Sequence, residues 1–229
     1  MTKKIAKWEK DGFVLQSFQA GFAEKYYEDC FTKPSAEIYR LTGSSGTYRK
    51  EDVVSYYNRI VNDSERFDFM LMAPDGTFIG ESVINELDRE NSSANFRIVI
   101  FDEGYLGQGL GSWAVEKTRD FAFEQVGLHR LELEVFSFNP RAKRAYEKAG
   151  FRLEGIKRDS QKTADGYTDT LIMSILEEEW KALKNQLIRL VFVSFLSNFT
   201  QSDCRLAQMD RLLKVLNCRH VRQRGSCPG

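Results

Sequence analysis

Phe96-Arg-Ile-Val-Ile-Phe-Asp-Glu-Gly-Tyr-Leu-Gly-Gln-Gly-Leu-Gly-Ser112 decides the fold of this chain. Ala94–Phe101 is β-branched and aromatic and reads as a strand. Asp102-Glu103-Gly104 ends it, and a helix is expected from about Gly109 to Gln125, with Leu110, Trp113, Ala114, Lys117 and Phe121 on one side. Between strand and helix lies Gly107-Gln108-Gly109-Leu110-Gly111-Ser112. Glycines let the backbone turn tightly and come close to a ligand. The first helical turn then presents unpaired N–H groups and the positive dipole end, so a pyrophosphate is the natural guest. A dinucleotide fingerprint needs Gly-x-Gly-x-x-Gly, and a P-loop needs a Lys before its Ser or Thr. Neither is met here, and a purely structural turn is the plain alternative.

Outward from this turn the chain alternates strands and helices. Upstream, residues 12–18 read as an opening strand, followed by helical segments near 20–31 and 50–62 with a Gly/Ser-rich loop at Thr42–Thr47 between them. Phe67–Ala73 and Thr77–Glu86 flank Pro74-Asp75-Gly76, a hairpin turn in which Pro presets φ and Gly supplies φ > 0. Downstream, Leu128–Phe136 is a strand with Leu131, Leu133 and Val135 on one face and Glu132 and Glu134 on the other. Asn139-Pro140 caps a helix that stops at Gly150. Strands near 151–158 and 168–175 and a short helix at 176–184 complete the domain. One strand-helix-strand unit among antiparallel pairs predicts an α+β fold, a central mixed, mostly antiparallel twisted sheet flanked by helices.

The length of 229 residues suits one domain, 1–184, and a C-terminal extension, 185–229. In the extension Leu206, Met209, Leu212, Leu213 and Leu216 keep helical spacing, whereas Arg219–Gly229 does not. It reads either as a helical appendage or as a non-native extension. Lys+Arg and Asp+Glu balance at 33 each, which argues against a nucleic-acid partner. The tail holds seven Lys/Arg against two Asp/Glu, so the main body is net acidic. An acidic body leans towards cationic substrates such as amines, or is simply a solvated surface. Cys30 stands alone while Cys204, Cys218 and Cys227 fall in the tail, and the only His are His129 and His220, so neither a disulfide framework nor a metal site is expected. The N-terminus lacks the apolar stretch of a signal peptide, and the longest apolar run, 187–196, falls short of the ~20 residues of a membrane span. A cytoplasmic protein without membrane association is expected.

A second informative stretch is Leu133-Glu-Val-Phe-Ser-Phe-Asn139-Pro-Arg-Ala-Lys-Arg-Ala-Tyr146-Glu-Lys-Ala-Gly150-Phe151. With Leu106–Ser112 it resembles the GNAT superfamily of N-acetyltransferases, close to the branch of ribosomal-protein N-terminal and spermidine acetyltransferases, over about residues 10–183. The resemblance implies the acyl-CoA N-acyltransferase fold, acetyl-CoA as co-substrate and no metal. It implies a cofactor site made by Leu106, Gly107, Gln108, Gly109, Leu110, Gly111, Ser112 and Asn139. Val99, Ile100 and Phe101 lie on the strand that pairs with the pantetheine arm. Leu106 stands where the family carries Arg or Gln, a departure that leaves the backbone amides in place. Many relatives dimerise, so a homodimer is the assembly to look for.

Acetyl transfer from a thioester to an amine has three chemical needs. The amine, with a pKa of ~10.4 if lysine-like, must lose a proton. The carbonyl oxygen must be held by a donor, for which backbone N–H groups near Val99–Phe101 are placed. The leaving thiolate must receive a proton. Tyr146, with an ordinary pKa of ~10, is the candidate acid, and Glu134, directly or through water, is the candidate base. Glu81, Glu86 and Glu103 are rival carboxylates, and Asp169 is a further group able to meet a cation. Tyr146 also fits an ordinary core aromatic, Glu134 an outward carboxylate and Asn139 a helix cap.

The expected function is therefore N-acetyltransfer to a primary amine, whether a protein N-terminus, a polyamine or another small amine, by direct attack. The acceptor would lie against segments 20–60 and 160–170, where Tyr26, Tyr27, Glu28 and Asp29 suit a cation. A catalytically silent acyl-CoA-binding regulatory module is the alternative, and an interaction protein working through its tail is a third.

Overall fold

The computed structural model describes residues 4–33, 35–44, 47–163 and 166–197. The chain divides into two compact units, Met1–Ala182 and Leu183–Gly229. Eight strands form one sheet: β1 (Lys7–Lys10), β2 (Phe13–Ser17), β3 (Phe67–Met72), β4 (Phe78–Asp88), β5 (Ser93–Ile100), β6 (Arg130–Phe136), β7 (Arg152–Thr163) and β8 (Gly166–Leu176). Their order is β1-β2-β3-β4-β5-β6-β8-β7. Six helices accompany them: α1 (Ala23–Phe31), α2 (Ala36–Thr42), α3 (Lys50–Val61), α4 (Leu110–Phe121), α5 (Pro140–Lys148) and α6 (Glu177–Ser197). Every strand pair is antiparallel except β5 with β6, so the fold is the mixed, mostly antiparallel α+β architecture expected from the sequence.

Two elements, β1 and α2, were not expected. Three endings also differ. The helix read as 109–125 is α4 followed by a π-helical turn, Ala122–Val126, that closes on Gly127 at φ 81°. The last two strands extend into a long hairpin. The helix expected at 176–184 runs on to Ser197, so no break in secondary structure falls at residue 185. The leucine-rich spacing at 206–216 and the segment 219–229 lie outside the described residues.

Apolar side chains cover both faces of the sheet. On one face α1 and α3 pack Tyr26, Cys30, Val53, Tyr57 and Ile60 around Phe18, Met70 and Phe78. On the other, Phe121 of α4 meets Phe67 and Phe69 edge-on at 5.2 and 5.0 Å, and the buried hydroxyls of Ser82 and Thr118 bond at 2.8 Å. The parallel pair β5–β6 is short: Ser93, Ala94 and Asn95 lie opposite Arg130, Leu131 and Glu132, and no further pairs follow. Beyond it β5 stays with β4 as far as Ile100, while β6 stays with β8 as far as Phe136. The two strands therefore part and leave a notch in the middle of the sheet.

The edge of the notch depends on Gly80. A Cβ there would lie 2.6 Å from the Val99 carbonyl oxygen, next to a register shift where Leu71 faces Gly80 and Met72 faces Phe78. Backbone flanks this site on the β5 side, so relief would require moving the strand. Gly80→Ala is expected to cost about 2 kcal/mol, seen as a Tm lower by about 4–8 °C in a thermal melt.

Candidate active site

A cleft of about 1160 Å³ runs through the notch. On one side the glycine turn opens into it. Glu103–Tyr105 forms a single 3₁₀ turn held by Asp102, whose carboxylate accepts from the Gly104 N–H at 2.8 Å. Leu106 then leads to Gly107 and Gly109, both at φ 80°. Gly109 is the N-cap of α4. No side chain caps that end, and the first turn carries no acid. Side chains at Gly107, Gly109 or Gly111 would meet no protein atom within 4 Å. An uncapped helix start, without a competing carboxylate and with open space around it, fits the pyrophosphate of coenzyme A. Leu106, Gly107, Gly109, Gly111 and Ser112 line the cleft. Leu110 and Gln108 do not. Leu110 is buried under the turn, and the Gln108 amide donates to the Gly104 carbonyl at 2.8 Å, so both shape the turn with their side chains turned from the cleft.

Val99, Ile100 and Phe101 line the cleft as expected, but their backbones are not equivalent. The Phe101 N–H donates to Ile79 of β4 at 2.8 Å. Polar groups of alternate residues in an antiparallel pair point the same way, so Val99 also faces β4. Ile98 and Ile100 are the residues that turn N–H and C=O towards the notch.

From α5, Asn139 and Tyr146 reach the cleft, and Arg141, Arg144 and Lys148 join them on its wall. Asn139 caps the helix, its Oδ1 accepting from the Ala142 N–H at 3.1 Å, which leaves its amide nitrogen for a ligand. The Tyr146 ring packs edge-on to Phe96 at 6.2 Å and to Phe151 at 6.0 Å. Its hydroxyl has no hydrogen-bond partner among the described residues. Burial raises the phenol well above its ordinary pKa, so it holds its proton through neutral and mildly alkaline pH. The core-packing and site readings of Tyr146 are thus compatible: the ring belongs to the core and the hydroxyl to the cleft.

The carboxylates divide sharply. Glu134 lines the cleft but is about half exposed and is paired with Lys157. Glu81, on β4 at the notch, is only 4% exposed. It accepts from the Tyr26 hydroxyl at 2.7 Å and pairs with Arg97 at 3.0 Å. Burial, together with the Glu81 charge, raises the Tyr26 phenol well above its ordinary value, so Tyr26 remains a donor. This Tyr26–Glu81–Arg97 cluster escapes a reading of the sequence because Tyr26, 55 residues before Glu81, is brought to the β4–β5 hairpin only by the packing of α1. The available signal is Glu81 itself, an acid within the apolar run 78–84. Glu86 lines the cleft from a left-handed position at φ 53°. Glu103 and Asp169 lie outside its lining, the first bonded by the Ser35 hydroxyl and the second accepting from the Asp159 N–H. Of the residues expected to meet a cation, Tyr26 lines the cleft. Tyr27, Glu28 and Asp29 do not, since Asp29 is engaged by Lys25 and by the Phe78 N–H and Glu28 faces Lys50.

A parted parallel pair, with an open helix start on one side and a protonated tyrosine on the other, defines an acyl-CoA N-acyltransferase. The family model for the acetyltransferase (GNAT) domain matches residues 14–152, and the chain belongs to that family. It is an acetyl-CoA-dependent N-acetyltransferase, and the silent binding module is not favoured. Among curated relatives, the probable N-acetyltransferase YjcK of Bacillus subtilis is 29% identical over 57% of this chain and 72% of its own. The spermidine N(1)-acetyltransferase of Vibrio cholerae is 27% identical over 57% of this chain and 75% of its own. The crystal structure of the spermidine N-acetyltransferase from Vibrio cholerae in complex with CoA and spermine superposes with a TM-score of 0.66 at 22% identity. It covers 75% of this chain and 99% of its own, a likeness of fold.

Gly109→Ala tests the turn. Its Cβ meets no protein atom, so affinity lost beyond the backbone strain reports the ligand's approach. Isothermal titration should show acetyl-CoA binding weakened by about tenfold, or about 1.4 kcal/mol, from steric contact with the ligand.

Proposed function

We propose that the chain acetylates a primary amine entering from the α1–α3 side of the notch, with Tyr146 as the acid and Glu81 as the base. The observation that carries this reading is one cleft lined both by a protonated, partnerless Tyr146 hydroxyl and by a buried carboxylate, on either side of the parted strands. When bound, acetyl-CoA supplies the activated acetyl group. Glycine-turn amides and the α4 N-terminus hold the pyrophosphate, with the basic residues of α5 alongside. Ile98 and Ile100 offer the backbone pairing for the pantetheine arm, and a notch-facing N–H there polarises the thioester carbonyl. Glu81 accepts the proton the amine loses as the new N–C bond forms. Tyr146 gives its proton to the sulfur as the C–S bond breaks.

Glu81 is preferred to Glu134 for the base on environment. Glu134 is half exposed and paired with Lys157, while Glu81 is secluded at the notch and oriented by Tyr26. Arg97 pairs with Glu81 at 3.0 Å and holds the carboxylate in place. The proposal extends to a cytoplasmic enzyme, in keeping with the free, buried Cys30, and to a homodimer, for which the edge strand β7 supplies an unpaired border. Among the described residues no helix is long and apolar enough to cross a membrane.

Thiol release followed against a panel of amines tests the reading. Tyr146→Phe should lower kcat by about 100-fold with acetyl-CoA affinity unchanged, as loss of a general acid requires. Glu81→Gln should lower kcat/KM by about 100-fold, while Glu134→Gln stays within about threefold. The reverse order for the two glutamates would return the base to Glu134.

A further inference from the structure

The acceptor side of the cleft has an aromatic wall that the proton transfers do not use. Tyr26 and Phe31 of α1, Tyr39 of α2, Tyr48 ahead of α3 and Phe101 after β5 line it. Phe31 is central, its ring centroid 5.2 Å from Tyr26, 5.1 Å from Tyr48 and 5.5 Å from Phe101, and Tyr39 lies 6.4 Å from Tyr48. These are ordinary aromatic contact distances. Tyr26 is buried and backs the wall, Phe31, Tyr39 and Phe101 are partly exposed, and Tyr48 is 39% exposed. Contiguous apolar surface presented to water in a cleft is what an apolar ligand covers.

Charge on the same side points away from a polycation. The cleft is lined by four carboxylates, Asp52, Glu81, Glu86 and Glu134. Asp52 is paired with Arg49 at 2.8 Å, Glu81 with Arg97 and Glu134 with Lys157. Among the described residues, only Glu86 of the four has no cation partner, and Lys33 lines the same cleft. A polyamine carries several separated ammonium groups and needs unpaired carboxylates at matching intervals. Here it would have to compete with Arg97 for the buried Glu81 carboxylate, the other two ion pairs being exposed and easily exchanged.

We infer that the acceptor is a primary amine carried on a single flat apolar body, and not a polyamine; this rests on the acetyltransferase reading above. Tyr26 belongs to both parts of the subsite. Its ring meets Phe31 and its hydroxyl donates to Glu81, so an aromatic body on the wall has its amine end beside the carboxylate. A free arylalkylamine and a peptide whose first residue is aromatic share this chemistry.

The test uses the full chain. Acetyl-CoA is first titrated calorimetrically, and thiol release is then compared for phenethylamine, a tripeptide beginning with Phe, and spermidine. One of the two aromatic amines should exceed spermidine in kcat/KM by at least about tenfold, and which one leads identifies the source. Phe31→Ala and Tyr48→Ala should each raise its KM by about tenfold, weaken its calorimetric binding to the CoA-saturated protein alike, and leave acetyl-CoA affinity unchanged. Tyr48 is at the exposed rim, so that variant folds even where Phe31→Ala does not. A preference for spermidine, no turnover of either aromatic amine, or an unchanged KM in Tyr48→Ala overturns the inference while acetyl-CoA binding still stands. Absence of acetyl-CoA binding overturns the inference and the reading beneath it together.

Discussion

The site depends on two strands that stop pairing. β5 and β6 share three parallel pairs and then part, each keeping its outer neighbour. Interior strands normally satisfy backbone groups on both edges, and a buried N–H or C=O without a partner is costly. At Ile98 and Ile100 the inner edge is left facing a gap. Such an edge invites an extended molecule with amides of its own, and pantetheine has that character. The bond set that a continuous sheet would use for stability is left open at this edge.

The parting also separates two electrical environments. On the α4–α5 side the helix start carries no acid, and Arg141, Arg144 and Lys148 face the cleft, a setting for phosphates. On the α1–α3 side a carboxylate is secluded among aromatic rings and tied to one phenol and one guanidinium. The proposed reaction would bring an anion and an amine to the same notch from these two sides, each meeting complementary charge.

The parts legible in the sequence are those whose cause is local. Glycines at 107 and 109, Asn139-Pro140 and Pro74-Asp75-Gly76 act through their own φ and hydrogen bonds, and their turns and caps fall at the expected positions. Tyr146 was legible through its place in the Asn139–Phe151 segment. β1 and α2 were not. Lys7–Lys10 is four residues with three charges, and Ala36–Thr42 is two turns with only Ile38 buried, so neither shows a period. α2 is stabilised from outside itself, by the Ser35 cap and by Arg40 stacked 4.6 Å over Phe138. The choice between Glu134 and Glu81 is likewise a tertiary matter. Both alternate correctly on their strands, and what distinguishes them is that helices cover one and water reaches the other.

Gly80 and the notch have an evolutionary consequence. The cofactor half hangs on β5, α4, β6 and α5, whereas the aromatic wall comes largely from the insertion between β2 and β3, residues 18–66. That insertion meets the rest of the fold through the face of a sheet whose register is set without it. Apart from Tyr26, which is bonded to Glu81, its rings can be exchanged, lengthened or recharged while β5, α4, β6 and α5 keep their sequence. A lineage built this way diversifies by redecorating one excursion of chain, and a protein engineer seeking a new acceptor would begin within residues 18–66.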